Sequence, residues 1–510
     1  MISGSILIAI LGYFILLLGV AFYTSRNANS ESFFIGNRNS NWLLVAFGMI
    51  GTSLSGVTFV SVPGDVGKSG FTYFQLVLGY WLGYWVVAFV LLPLYYKLNL
   101  TSIYSFLGKR FGDKAHKIGA AFFILARTVG ATARLYLVVS ILDVFVFSAF
   151  NIPFWLSASV ILCLILLYTF QGGVKTIIIT DTLQTTGMLV GLVLCLVVVL
   201  QALQTDLTGA WEMASARNLN NLWVTDINSP GFFLKQILGG MFITITMTGM
   251  DQEMMQKNIS VSNVKDSQKN MMLMSAVLVL VNFLFLLLGA VLYVYQSKHP
   301  VTLGSGLPAS GDDLFPALAL GGAFSGVLGI IFVIALISAL FPSVDGALTS
   351  LTSSYCIDVL RIQENPSDEK TMKRKRMKVH ITFTVLFLFM VFLFRYINDK
   401  SIILFIIKFA GITYGPLLGL FAFGILTRKK ANERMLWPVC LAGPLLTLGL
   451  DMFSNPGYYQ QKLHMDLGLN DLSLQVFNGY KIGPELILIN GALVFMGLWF
   501  TSRREAVKGA

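Results

Sequence analysis

Residues 47–58 read Phe-Gly-Met-Ile-Gly-Thr-Ser-Leu-Ser-Gly-Val-Thr, and residues 239–252 read Gly-Gly-Met-Phe-Ile-Thr-Ile-Thr-Met-Thr-Gly-Met-Asp-Gln. Both lie inside long apolar segments, yet both are rich in glycine and hydroxyl side chains. Glycine weakens a helix interior, and Ser/Thr hydroxyls re-satisfy backbone groups that a break sets free. Each stretch is therefore suited to interrupt a helix. The competing reading is close helix packing through small residues.

The surroundings decide the solvent. Of 510 residues, 55% are hydrophobic and 12% charged, where a soluble chain carries about a quarter charged. The apolar residues come in blocks of roughly 20, enough to cross about 30 Å of hydrocarbon. Thirteen spans are expected, near 4–24, 41–63, 71–96, 118–147, 153–171, 181–203, 232–250, 271–296, 321–357, 380–396, 403–426, 435–452 and 484–501. One set of alternate connections holds 25 Lys/Arg and the other 6. Cytoplasmic loops carry that excess, which puts the N-terminus outside and the C-terminus inside. The net charge of +11 is thus a topology signal and not a sign of a nucleic-acid partner. On this topology the two interrupted spans run in opposite directions, five spans apart. That pairing points to an inverted-repeat transporter with its site near the midplane.

Other classes are poorly served. No P-loop and no soluble domain are present for ATP-driven transport or for a receptor. A channel needs a continuous polar pore, whereas the hydroxyls cluster at two breaks. His116, His299, His380 and His464 are scattered, so no enzyme centre is expected. Cys163, Cys195, Cys356 and Cys440 have no metal-site spacing and suggest no disulfide framework. Ile6–Tyr23 has no basic residue before it and reads as a retained first helix, not a cleaved signal. The polar stretches 204–231, 297–320 and 453–482 read as outer loops, and Glu364–Lys378 as a solvated cytoplasmic connector.

Several motifs, in order along residues 24–435, resemble the solute:sodium symporter family, which includes sodium-coupled proline, sugar, pantothenate and sialic acid carriers. They are Gly51-Thr52-Ser53-Leu54-Ser55-Gly56-Val57-Thr58-Phe59; Tyr168-Thr169-Phe170-Gln171-Gly172-Gly173 leading to Thr180-Asp181-Thr182-Leu183-Gln184-Thr185; and Asp251-Gln252-Glu253-Met254-Met255-Gln256-Lys257. Ser338-Ala339 through Ser343 to Leu348-Thr349-Ser350 and Asp358 follow, and then Gly411 to Leu420 with Arg428-Lys429-Lys430. The resemblance implies an all-α, polytopic membrane protein forming one transporter domain over 1–510, with a LeuT-type core of five plus five helices. An extra N-terminal helix at 4–24 would precede repeats at 41–203 and 232–426, and two extra helices would fill 435–501. It implies sodium-coupled symport of a small polar organic solute. Proton coupling, or an amino acid or carboxylate cargo, remains the alternative. The expected location is the plasma membrane, in a bacterium the inner membrane, with lipid, sodium and solute as partners and no obligatory protein partner.

Sodium takes hard oxygen ligands, and carbonyls at a helix break plus nearby hydroxyls supply them with little net charge. By resemblance the main site uses the carbonyls of Gly51, Leu54 and Ala339 and the hydroxyl of Ser343. Pro342 stands where the family usually offers a second hydroxyl. Proline removes the amide that would bond the Ser338 carbonyl, so Ser338 or water is a substitute ligand; the bland reading is a simple kink with Ser343 bonded back to Ala339. Asp181 either caps a helix or, by resemblance, joins a second cation site whose partner positions here are Asp345 and Gly346. Two adjacent bare carboxylates would hold a cation or share a proton.

Solute is expected beside the first break, at Ser53, Ser55 and Thr58, with Tyr73 and Gln75 as weaker candidates. Arg127 and Arg134, seven apart, share a helical face. Arg134 resembles an arginine of carriers with different substrates and is expected to be structural. Arg127 lies three residues from the carboxylate-binding position of sialic acid carriers, here Gly130, and either binds a carboxylate or forms a salt bridge, to Asp143 or to a cytoplasmic acid. Lys408 is a substrate or gating residue, or a lysine reaching the interface. Asp251, Gln252 and Gln256 are expected to gate or cap. Together the hydroxyls and cations lean towards an anionic or zwitterionic solute, such as an acidic sugar.

Overall fold

The computed structural model describes residues 2–26, 30–302, 308–322, 324, 326–362, 368–397, 402–463 and 468–502. Lys400, His464, Arg503, Arg504 and Lys508, which enter the charge and histidine readings above, lie outside these. Sixteen helices carry the argument. They are α1 (Ile2–Ser25), α2 (Trp42–Ser53), α3 (Gly56–Ser69), α4 (Tyr73–Lys97), α5 (Asp113–Phe145), α6 (Phe154–Thr169), α7 (Gly173–Ala202) and α8 (Phe233–Met247). The second half holds α9 (Gln252–Ile259), α10 (Val264–Lys298), α11 (Gly326–Ser354), α12 (Glu369–Ile397), α13 (Ile402–Thr413), α14 (Gly415–Leu426), α15 (Leu436–Ser454) and α16 (Leu486–Thr501). Short helices such as Leu207–Ser215, Pro456–Leu463 and Asn470–Phe477 lie in the long polar connections.

Among the described residues, eight helices are long and apolar enough to cross a membrane, and up to eleven if each bent pair counts as one span. The bent pairs are α2 with α3 (53°), α8 with α9 (65°) and α13 with α14 (42°). Helix α6 and helix α16 are shorter apolar helices.

Both readings of the two opening stretches hold, each in its own part. Gly239 and Gly240 allow close packing: a Cβ on Gly240 would fall 2.3 Å from the Leu76 carbonyl oxygen, and one on Gly239 2.5 Å from Pro484 Cβ. The break itself comes later, between Thr248 and Asp251, where Asp251 caps α9 by accepting from the amides of Glu253 and Met254. In the first stretch Leu54 and Ser55 leave helical geometry, with ψ of 99° and 172°.

Two boundaries differ from the sequence reading. Helix α7 resumes at Gly173, eight residues before the expected start, so Asp181 lies two turns inside it and caps nothing. Helix α12 begins at Glu369 and takes Lys370–Lys378, read as a solvated connector, into its first turns. Apolarity marks the part of a helix that lipid touches, and helices run past it.

The join of α6 and α7 depends on Gly173, whose φ of +55° with ψ of −150° is a combination that suits glycine alone. A Cβ there would also meet Phe33 Cα at 2.3 Å. Gly173→Ala should therefore cost about 1–3 kcal/mol and lower the unfolding temperature in detergent. Gly449→Ala, where an added Cβ meets nothing within 4 Å inside α15, should leave it unchanged or raise it.

Candidate functional site

The ladder of α2 ends with the Leu54 amide on the Ile50 carbonyl (2.8 Å), and that of α3 opens with Phe59 on Ser55 (3.1 Å). The carbonyls of Gly51 to Leu54 fall in the gap. No side chain among the described residues hydrogen-bonds those of Gly51 or Leu54. The second break is treated differently. There Tyr95 donates to the Gly249 carbonyl (2.7 Å) and Tyr104 to that of Met250 (3.1 Å). One break is sealed by tyrosine hydroxyls and the other keeps free acceptors.

Helix α11 packs against the open break. A Cβ on Gly51 would lie 3.3 Å from Pro342 Cγ, and one on Gly56 3.8 Å from Leu340 Cα. Ser343, fully buried, donates to the Leu340 carbonyl (2.7 Å) and not to that of Ala339, which leaves its oxygen lone pairs free to ligate. The Ser338 hydroxyl is engaged with Tyr13 (2.7 Å), so any role of Ser338 as ligand falls to its carbonyl.

Sequence reasoning missed Thr185. Its hydroxyl would touch a Cβ on Gly51 at 2.2 Å, and it is buried with no hydrogen-bond partner among the described residues. Thr180, Thr182 and Thr186 on the same helix all bond back to a carbonyl three or four residues earlier. Thr185 alone of these turns its oxygen towards the break. The signal was present, since Thr185 lies one turn beyond Asp181 on the same face. Gap carbonyls, the Ser343 oxygen and an orphaned hydroxyl make a hard, nearly neutral oxygen set, which fits sodium.

A cavity opens on the other side of the break. About 140 Å³ of it is reachable by the centre of a water molecule. Ser53, Ser55, Thr58 and Tyr73 line it, together with Thr244 and Thr248 from the end of α8. Arg127 and Arg134 both reach its wall. Their surroundings differ. Arg127 is ion-paired to Glu253 and lies 3.8 Å from Asp251, so the salt-bridge alternative holds, with those acids and not Asp143. Arg134 has no hydrogen bond or ion pair among the described residues.

Two other candidates lie elsewhere. Gln75 is fully buried and bonds the carbonyls of Thr72 (3.0 Å) and Gly231 (3.4 Å), anchoring the connection before α8 away from this cavity. Lys408 is held by Asp451 (2.6 Å), beside the rings of Tyr458 and Tyr459. It borders a second cavity that shares Tyr73, Ile403 and Ile407 with the first.

Below the main cavity lies a buried charge cluster. Lys257 Nζ is 2.6 Å from both Asp181 Oδ2 and Thr52 Oγ1, and 3.6 Å from Glu253 Oε1. Tyr414 donates to Asp251 (2.8 Å) and Tyr168 to Asp345 (2.9 Å). Gln252 bonds the Ile103 amide and the Thr101 carbonyl, both at 3.0 Å, and Gln256 bonds Phe34 and Ser353. Glu253 and Lys257 were also missed as site residues. Two opposite charges at i and i+4 of an eight-residue buried helix were the available signal.

Comparison with known proteins agrees with this arrangement. Residues 33–440 match the model of the sodium:solute symporter family. The sodium/sialic acid symporter NanT of Aliivibrio fischeri is 26% identical over 86% of this chain and 86% of its own length. SiaT of Proteus mirabilis, also a sodium/sialic acid symporter, is 25% identical over 82% and 83%. The rabbit sodium-dependent multivitamin transporter is 26% identical over 77% of this chain and 61% of its own length. A solved structure of a substrate-bound, outward-open Na+-coupled sialic acid symporter superposes with a TM-score of 0.79 over 99% of both chains at 20% identity, which shows the fold. With the family model covering the open break, the charge cluster and α11 alike, this chain belongs to the sodium:solute symporter family, as a multi-pass membrane protein that couples solute movement to sodium.

Proposed function

We propose that the protein takes up an acidic sugar with sodium by alternating access, in a bacterial inner membrane. The observation that carries this reading is Arg134, a guanidinium on the wall of a hydroxyl-lined cavity that makes no ion pair or hydrogen bond among the described residues. A cation placed so is costly unless a ligand completes it. A carboxylate meets it bidentately, and Ser53, Ser55 and Thr58 suit the hydroxyls of a sugar. That the relatives NanT and SiaT are sialic acid symporters points the same way.

Sodium would be held by the carbonyls of Gly51, Leu54 and Ala339 with the hydroxyls of Ser343 and Thr185, the Ser338 carbonyl lying in reserve. Its binding fixes the geometry of the break, and the break presents Ser53 and Ser55 to the solute. In this reading the ion and the solute are read by one stretch of chain, residues 51–55, which is the physical basis of coupling. The two repeats run over 41–203 and 232–426, with α1 and the pair α15 and α16 outside them. The N-terminus faces outward and the C-terminus the cytoplasm. The cavity beside Lys408 is then the outer entrance, and the Arg127–Glu253–Lys257 cluster closes the cytoplasmic side.

The first test is thermal stabilisation of the purified protein by N-acetylneuraminate and by its methyl ester, in sodium and in potassium. Stabilisation by the free acid in sodium alone is expected, and equal stabilisation by both forms would remove the carboxylate from the reading. Arg134→Gln should weaken binding of the acid by about 30-fold or more, the scale of a truncated buried charge contact, and should leave binding of the ester little changed. Arg127→Gln should instead lower the melting temperature without ligand, since it leaves buried Glu253 with only Lys257, 3.6 Å away and already bonded to Asp181, as counter-charge. Thr185→Val should shift the sodium dependence of stabilisation upward by about tenfold, one hydrogen-bond-scale interaction. Thr185→Ser should stay near wild type.

A further inference from the structure

The family resemblance implies a second cation between Asp181 and the residues at 345 and 346, but the groups present do not fit one. Asp181 is fully buried, and its Oδ2 accepts from Lys257 Nζ at 2.6 Å. Thr52 Oγ1, the nearest hydroxyl (3.5 Å), is bonded to the same ammonium at 2.6 Å. The oxygens of Asp345 are met by the Tyr168 hydroxyl and the Gly346 amide. At 346 there is neither a hydroxyl nor room for one. A Cβ on Gly346 would lie 2.2 Å from Glu253 Oε1 and 3.2 Å from Lys257 Nζ. The space a ligating side chain would use is filled by the Glu253–Lys257 pair.

We infer that the ammonium of Lys257 is a tethered cation standing in the second cation position, so that the protein binds one mobile sodium per solute. A sodium ion at Asp181 would find Oδ2 and the Thr52 hydroxyl already held by the ammonium and only Oδ1 without a partner, and would lie beside a like charge in a low-dielectric interior. The tether also fixes where the charge goes. Lys257 is on α9, while Thr52 is on α2 and Asp181 on α7, so this cation links three helices at the base of the site and does not leave with the solute. The inference rests on the sodium-coupled reading above and adds the number of ions to it.

Equilibrium binding of radioactive sodium to the purified full-length protein, with saturating N-acetylneuraminate, tests it directly. Wild type should bind one sodium per chain with a Hill coefficient near one. Lys257→Met should expose Asp181 and raise the count to two. The double variant D181N/K257M removes both charges without stranding either. It should keep one sodium with affinity within about threefold of wild type, and it serves if the single variant does not fold. Two sodium ions in wild type, or a sodium lost from the double variant, would overturn the inference while leaving symport intact. No saturable sodium in wild type would overturn the symport reading, and this inference with it.

Discussion

A backbone carbonyl in lipid must be given a partner, and the rest of this molecule is arranged around that demand. Two helices are broken, and each break frees carbonyls at depth. At the second break the answer is covalent to the fold: Tyr95 and Tyr104 reach in from α4 and the segment after it and take the oxygens of Gly249 and Met250. At the first break no donor among the described residues meets Gly51 or Leu54, and on the proposed reading the demand passes to an ion. The asymmetry separates a structural break from a functional one. It also explains why α11 approaches so closely. Gly51 and Gly56 bring the open carbonyls to its Pro342 and Leu340.

Charge in the interior is handled by the same principle of assigned partners. Arg127 and Arg134 share a helix and a face, but only Arg127 comes within reach of α9 and its acids. A buried ion pair of this kind adds little net stability, yet removing one partner is costly. The cluster therefore acts as a constraint on which helices stay together. Arg127 joins α5 to α9, and Lys257 joins α9 to α2 and α7. Such pairs suit a closed gate, because they hold firmly while packed and are readily solvated once water enters.

How much of this the residues disclosed depends on the kind of information needed. The breaks were legible because glycine and hydroxyls in an apolar run have few other uses, and membrane class followed from apolar length alone. Helix starts were less legible: α7 and α12 extend beyond the apolar window, so Asp181 looked like a cap when it is an interior residue. The different surroundings of Arg127 and Arg134 were hidden for a related reason. Spacing shows that two side chains share a face, but the partner on that face comes from a helix more than a hundred residues away. Gln75 and Lys408 were polar and near the right spans, yet Val224, Gly231 and Asp451 claim them. Thr185 looked like one more threonine in a helix that has several.

Pro342 shows how a ligand set survives the loss of a member. The residue cannot offer a hydroxyl, and its ring crowds the face that meets Gly51. The oxygen that faces Gly51 instead belongs to Thr185, on a different helix, and it is the threonine of that stretch that does not bond back to its own backbone. An ion reads distance and partial charge, not chain order, so on the proposed reading a hydroxyl from α7 would serve where one from α11 is missing. The exchange has a mechanical consequence. The ion would then tie α7, as well as α11, to the break, and α7 also carries Asp181, the anchor of Lys257. Sodium at one end and the ammonium at the other would grip the same turn of α7, so that emptying the ion site loosens the helix on which the inner charge cluster depends.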